Sequence, residues 1–188
     1  SEHCYYLNGM AISCTGGTIV VDNPTTCNVN QFQIRGRGVA VSGVQLTGVA
    51  KACDITTGAI DVTYANNPTT AVGDSAGGII DIRSQGLTTY IDNRSDFFQS
   101  YKPMQNIMVT GNTVSMPDAA ATNGVGIRLY TDTSDANFPD GQMRNVQVQG
   151  NTINNARKGI LNFANMLRNG RISHNIFNGK PFTEENFG

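Results

Sequence analysis

Tryptophan is missing from this 188-residue chain, histidine occurs only as His3 and His174, and charged residues make up just 14% of it. The formal net charge is −1, which excludes a protein that grips nucleic acid through a basic field. No run approaches the ~20 consecutive apolar residues that a membrane span requires, so no membrane insertion is expected. Two histidines and no CxxC or CxxxC spacing leave no zinc site. Gly36-Arg-Gly38 and Gly124-Val-Gly126 open no GxGxxG loop and no Walker lysine follows them, so neither is a nucleotide cradle. The four cysteines, Cys4, Cys14, Cys27 and Cys53, all fall in the first 53 residues. That arrangement fits two disulfides or free, buried thiols, and the second reading is favoured. What is present is 39% hydrophobic residues and 21 glycines, ample for a packed core and unlike a disordered chain.

The informative content is a repeat. Residues 106–114 read NIMVTGNTV, 145–153 read NVQVQGNTI, and 170–177 read GRISHNIF. Asn112, Asn151 and Asn175 keep step at intervals of 39 and 24 residues, with Val109, Val148 and Ile172 before them and Val114, Ile153 and Phe177 after. A unit this short cannot bury its apolar face alone and must stack on copies of itself. Inside the unit Val146 and Val148 alternate with Gln147 and Gln149, the period of a strand. A second phrase, Gly126-Ile-Arg-Leu-Tyr130 and Gly159-Ile-Leu-Asn-Phe163, recurs between the first. Further strands are expected at 18–21, 31–35, 39–41, 44–47, 59–64 and 79–83, with polar excursions at 65–78, 85–103, 117–123 and 131–141. Coils of about 20 to 25 residues stacked at ~4.8 Å make an all-β parallel β-helix, here one domain of five to seven coils. Residues 1–16 read as irregular, 17–179 as coils and 180–188 as a tail. The start on Ser1, with no signal peptide and no capping helix, reads as a fragment of a longer protein.

The pattern N-V-x-V-x-G-N-x-I followed by G-I-x-L resembles the right-handed parallel β-helix of the pectate-lyase-like superfamily. The resemblance is strongest over residues 104–179, and in character it is nearest to the bacteriophage tailspike depolymerases. It implies a carbohydrate-active protein outside the cell or on a virion tail, a polysaccharide partner and a homotrimer. It also implies that Asn112, Asn151 and Asn175 form an internal structural ladder. It carries no catalytic motif residue for residue.

Candidate chemistry comes from side chains expected on the outer face. In Ile60-Asp-Val62 and Ile80-Asp-Ile82 the apolar residues should face in, which puts Asp61 and Asp81 outside. Ile127-Arg-Leu-Tyr130 places Arg128 and Tyr130 outside, and Arg83 accompanies Asp81. If these strands stack in one column, Asp61, Asp81 and Arg128 form a candidate catalytic group. Paired carboxylates suit glycoside hydrolysis, and a carboxylate beside Arg or Tyr suits proton abstraction by a lyase. The competing reading is a solvated surface pair. The segment 90–101 mixes Tyr90, Asp92, Arg94, Asp96, Phe97, Phe98 and Tyr101, a composition suited to stacking on sugar rings and bonding their hydroxyls. The same aromatics could pin the loop onto the coil or form a subunit contact.

His174 reads as a turn residue standing in a glycine position. Asp132, Asp135, Asn137 and Asp140 could surround calcium, but their spacing is not that of an EF-hand. A solvent-exposed loop with no metal and no cofactor is the expectation there. Met143, Leu161, Phe163 and Met166 are candidates for a subunit-facing side. Three functions stay open: a polysaccharide hydrolase or lyase, a non-catalytic glycan- or receptor-binding module, and a rigid spacer.

Overall fold

Stacking of like on like governs the architecture. The computed structural model describes residues 3–21, 30–72, 78–84, 104–117, 124–131, 143–164 and 167–178, and among them there is no helix. Sheet A comprises β1 (His3–Leu7), β4 (Asn30–Ile34), β7 (Lys51–Thr56), β10 (Ile80–Ser84), β13 (Val125–Thr131) and β16 (Lys158–Phe163). Sheet B comprises β2 (Ser13–Thr15), β5 (Arg37–Ser42), β8 (Ile60–Ala65), β11 (Met104–Thr110) and β14 (Met143–Gln149). It ends on two short strands, β17 (Leu167–Arg168) and β18 (Arg171–Ser173), which both pair with β14. Sheet C comprises β3 (Thr18–Val20), β6 (Gln45–Val49), β9 (Pro68–Ala71), β12 (Thr113–Ser115), β15 (Thr152–Asn154) and β19 (Ile176–Asn178). Apart from β17 and β18, consecutive strands fall on successive sheets, and the pairings are parallel, so the chain is a parallel β-helix of about six rungs.

Registration makes the core a set of columns. Val39, Val62, Ile107 and Val146 lie in line, as do Val41, Tyr64, Val109, Val148 and Ile172. Cys53, Ile80, Ile127 and Ile160 line the inner side of sheet A. Most of these side chains are fully buried. The Gly126 and Gly159 phrase has a steric cause: a Cβ on Gly126 would come 2.6 Å from Ile153 Cγ2, and one on Gly159 2.9 Å from the Phe177 ring. These glycines let sheet A close onto the residues that sheet C sends inward.

Two expectations are corrected. Residues 3–15, read as irregular, carry β1 and β2 and belong to the first rung. The polar stretch 65–78 contains β9, because Asn66 turns the chain in the left-handed region and Pro68 opens an exposed strand on sheet C. Met143 and Leu161, candidates for a subunit-facing side, are buried. Met166 and the Phe163 side chain lie outside the described residues. Cys14 and Cys53 are free thiols. Burial pushes the Cys53 thiol well above its ordinary value, with Asp54 and Asp81 adding to the shift. Burial likewise raises the Tyr64 phenol.

Two asparagine columns join the rungs. At the corner between sheets B and C, Asn67 Nδ2 donates to Asn112 Oδ1, Asn112 Nδ2 to Asn151 Oδ1, and Asn151 Nδ2 to Asn175 Oδ1, at 3.1, 3.0 and 2.9 Å. The same oxygens accept the backbone N–H groups of Asn67, Asn112 and Asn151, and Val44 N–H donates to Asn67 Oδ1. Backbone donors therefore set the direction of this inner column, and each of its amide nitrogens also donates to a backbone carbonyl. Asn67 escaped the sequence reading. The residue just before each column position is left-handed, at Gly43, Asn66, Gly111, Gly150 and His174 (φ 54–65°), which explains why His174 stands where its counterparts are Gly or Asn.

The second column is exposed. Asn169 Nδ2 donates to Asn145 Oδ1, Asn145 to Asn106, and Asn106 Nδ2 to Asp61 Oδ1 at 2.7 Å. All four residues are left-handed, φ 53–57°. A carboxylate only accepts, so Asp61 forces Asn106 to present its NH₂ and orients every amide behind it.

The two columns should differ sharply on mutation. Asn151→Ala orphans two buried donors and should lower stability by about 3 kcal/mol. Asn145→Gly keeps the left-handed turn at an exposed position and should stay within about 0.5 kcal/mol of the parent. Urea denaturation of both variants checks this.

Candidate functional site

The outer face of sheet A gathers the charges. On strands that alternate, the residues between inward Cys53, Ile55, Ile80, Ile82, Ile127 and Leu129 must point away from the core. Those residues are Asp54, Asp81 and Arg128, and they are direct register partners on β7, β10 and β13. Arg83 and Tyr130 form the neighbouring row. Lys51 reaches in from the start of β7 and Asn30 from the start of β4.

The two carboxylates are held from several sides. Asp81 accepts Arg128 Nε at 2.9 Å and a second guanidinium nitrogen at 2.6 Å, and Lys51 Nζ at 3.3 Å. Asp54 accepts Arg83 Nε at 2.9 and 3.1 Å on its two oxygens, with Asn30 Nδ2 at 3.2 Å. Arg128 also lies over the Tyr130 ring, 5.4 Å from its centroid, a favourable cation–π position. Both Asp side chains are 0% exposed, whereas Lys51, Arg83 and Arg128 retain 17%, 20% and 19%. The carboxylates thus lie at the bottom and the cations at the top. Among the described residues Lys51, Arg83 and Arg128 face Asp54 and Asp81, and Arg83 makes further contacts beyond this cluster.

That arrangement decides what the cluster can do. A carboxylate whose oxygens are both engaged by guanidinium and shut off from solvent is a poor donor or acceptor for a substrate proton. It is well suited to fixing the direction of the cations above it. A guanidinium or ammonium so oriented is pre-organised for a carboxylate, phosphate or sulfate group.

The candidate residues from the sequence fall into three groups. Asp81, Arg128, Arg83 and Tyr130 come together. Asp61 does not join them: it lies one rung before Asp81 but on sheet B, 44% exposed, bonded to Asn106 and paired with Arg37 at 3.5 Å. The expected single column of Asp61, Asp81 and Arg128 is therefore corrected to two separate faces. Alternation tells inside from outside, but not which of three sheets a strand joins. Tyr90, Asp92, Arg94, Asp96 and Tyr101 lie outside the described residues, as do Asp132, Asp135, Asn137 and Asp140. Among the described residues no three of His, Cys, Asp and Glu converge as metal ligands.

Asp54 and Lys51 were missed. The available signal was the echo between Cys53-Asp-Ile55 and Ile80-Asp-Ile82, two apolar–Asp–apolar triplets one rung apart.

Removing one partner from a buried pair leaves the other without a counter-charge. Asp81→Asn should therefore destabilise the protein by about 3–5 kcal/mol. Lys51→Gln leaves the Asp81–Arg128 pair intact and should cost less than about 1 kcal/mol. Thermal melts of the two variants against the parent read the difference. Compared with known proteins, the chain matches no family model, no curated protein and no solved structure.

Proposed function

We propose that this β-helix is a carbohydrate-recognition protein that holds an acidic polysaccharide against the outer face of sheet A. The observation that carries the reading is the cluster in which buried Asp81 holds Arg128 and Lys51 with part of each cation exposed. Successive strands of a β-helix repeat at ~4.8 Å, close to the length of one sugar residue in an extended chain. Cations presented by strands of one sheet suit a polymer that carries a carboxylate on its repeating unit. Tyr130, beneath Arg128, adds an aromatic surface of the kind that stacks on sugar rings.

The resemblance to pectate-lyase-like and tailspike β-helices supports a glycan of a bacterial surface as the partner. It supports a place outside the cell or on a virion tail, and assembly as a homotrimer. It also supports a second reading, a depolymerase acting as hydrolase or lyase. The observation favouring that one is that Asp54 and Asp81 sit directly opposite each other on adjacent strands. Their double engagement by guanidinium groups favours binding over cleavage.

A panel of uronate-containing and neutral polysaccharides passed over immobilised protein separates these readings. Acidic chains should be retained, with retention falling as salt rises and weakened in Lys51→Gln, and no reducing ends or unsaturated products should form. New reducing ends, lost in Asp81→Asn while its fold is kept, would replace the binding module by a hydrolase. Unsaturated products would indicate a lyase. No retention of any polysaccharide would leave a rigid spacer.

A further inference from the structure

Sheet B carries a second surface of different chemistry. Between the exposed column of Asp61, Asn106 and Asn145 and the next outward row of Thr63, Met108 and Gln147 runs an open groove of about 260 Å³. Both walls repeat over three rungs, because Thr63, Met108 and Gln147 are register partners on β8, β11 and β14. The groove therefore runs along the helix axis, across the strands.

Its lining is polar, with one charged residue: Asp61, which pairs with Arg37 at 3.5 Å and accepts the Asn106 amide. Within the column each Asn spends one N–H and one lone pair on its neighbours. An amide has two of each, so Asn106 and Asn145 each keep one donor and one acceptor. Gln147 engages its Oε1 with Gln149, at 3.4 Å, and so keeps its NH₂. Thr63 adds a hydroxyl, and Met108 between them gives an apolar, adaptable contact. The amides are also pre-oriented, since the acceptor-only Asp61 dictates which way each one points. Paired donors and acceptors at ~4.8 Å intervals, flanking an apolar strip, match the hydroxyls and ring faces of an extended sugar chain.

We propose that this groove is a binding site for a neutral, extended oligosaccharide, separate from the cationic face of sheet A. The inference rests on the carbohydrate reading of the protein but not on the sheet A site. No cation lines the groove, Arg171 standing one rung beyond it in the Gln147 row, and a peptide strand would have the wrong repeat for a column spaced by rungs.

The left-handed backbone supplies a clean test, because Asn106→Gly with Asn145→Gly removes both amides where glycine is at home. Side-chain amide resonances of the isotope-labelled full chain would be followed during titration with linear hexasaccharides of glucose, mannose, galactose and N-acetylglucosamine. At least one neutral hexasaccharide should shift the Asn106, Asn145 and Gln147 signals saturably. The double glycine variant should weaken that binding by about tenfold or more, and Lys51→Gln should leave it unchanged. Absence of a saturable shift with all four sugars, or undiminished affinity in the glycine variant, overturns the site. Loss of the response in Lys51→Gln also overturns it, by locating the binding on sheet A. Because acidic-polysaccharide retention is read separately, failure here leaves the sheet A reading standing, and the reverse holds too.

Discussion

The polar groups of each rung have to be satisfied by the next rung, in register, and the rest of the structure follows from that requirement. A coil of some twenty residues has no internal partner for its backbone N–H and C=O groups. Parallel stacking provides one for every strand residue, and the corners would be left over. The inner asparagine column answers the corner problem: each Oδ1 takes both a side-chain and a backbone donor from the preceding rung. Once that corner is held, apolar residues at fixed offsets from it must fall into columns, as Val109, Val148 and Ile172 do. The glycines at 126 and 159 then let sheet A close over sheet C.

The same columnar rule produces both outer faces, with opposite chemistry. On sheet A a carboxylate in one rung meets a carboxylate and then a guanidinium in the following ones, and the charges have to be resolved among themselves. The solution buries the acids and leaves the bases nearest solvent. On sheet B the column begins with Asp61 and continues with asparagines, so a single carboxylate polarises a neutral chain of amides. The inner and outer amide columns run in opposite directions, because backbone donors orient one and a terminal acceptor orients the other.

Much of this was legible in the chain before its structure. Repetition of Asn112, Asn151 and Asn175 with flanking β-branched residues led to stacked coils, and alternation in 145–149 led to strands. Sheet assignment was not legible. Asp61 and Asp81 share the same apolar–Asp–apolar context, but Ile60 follows the corner from sheet A to sheet B whereas Ile80 starts a new rung. Intervening loops of unequal length hide that phase. Asn67 was hidden by Pro68, whose usual meaning is loop but which here opens an exposed strand. Asn106 and Asn145 stand at the head of the repeat, 39 residues apart. They went unread as a column because the left-handed bulge that turns both side chains outward breaks the simple in-and-out alternation.

The central claim is that the cations of sheet A, held by buried carboxylates, receive the acidic groups of a glycan. A crystal structure of the protein with a linear uronate hexasaccharide tests it most directly. The account predicts sugar carboxylates within hydrogen-bonding distance of Lys51 and Arg128, with Asp54 and Asp81 still engaged by their guanidinium partners. A hexasaccharide bound elsewhere, or an Asp81 carboxylate released from Arg128 and turned toward a glycosidic bond, would contradict it.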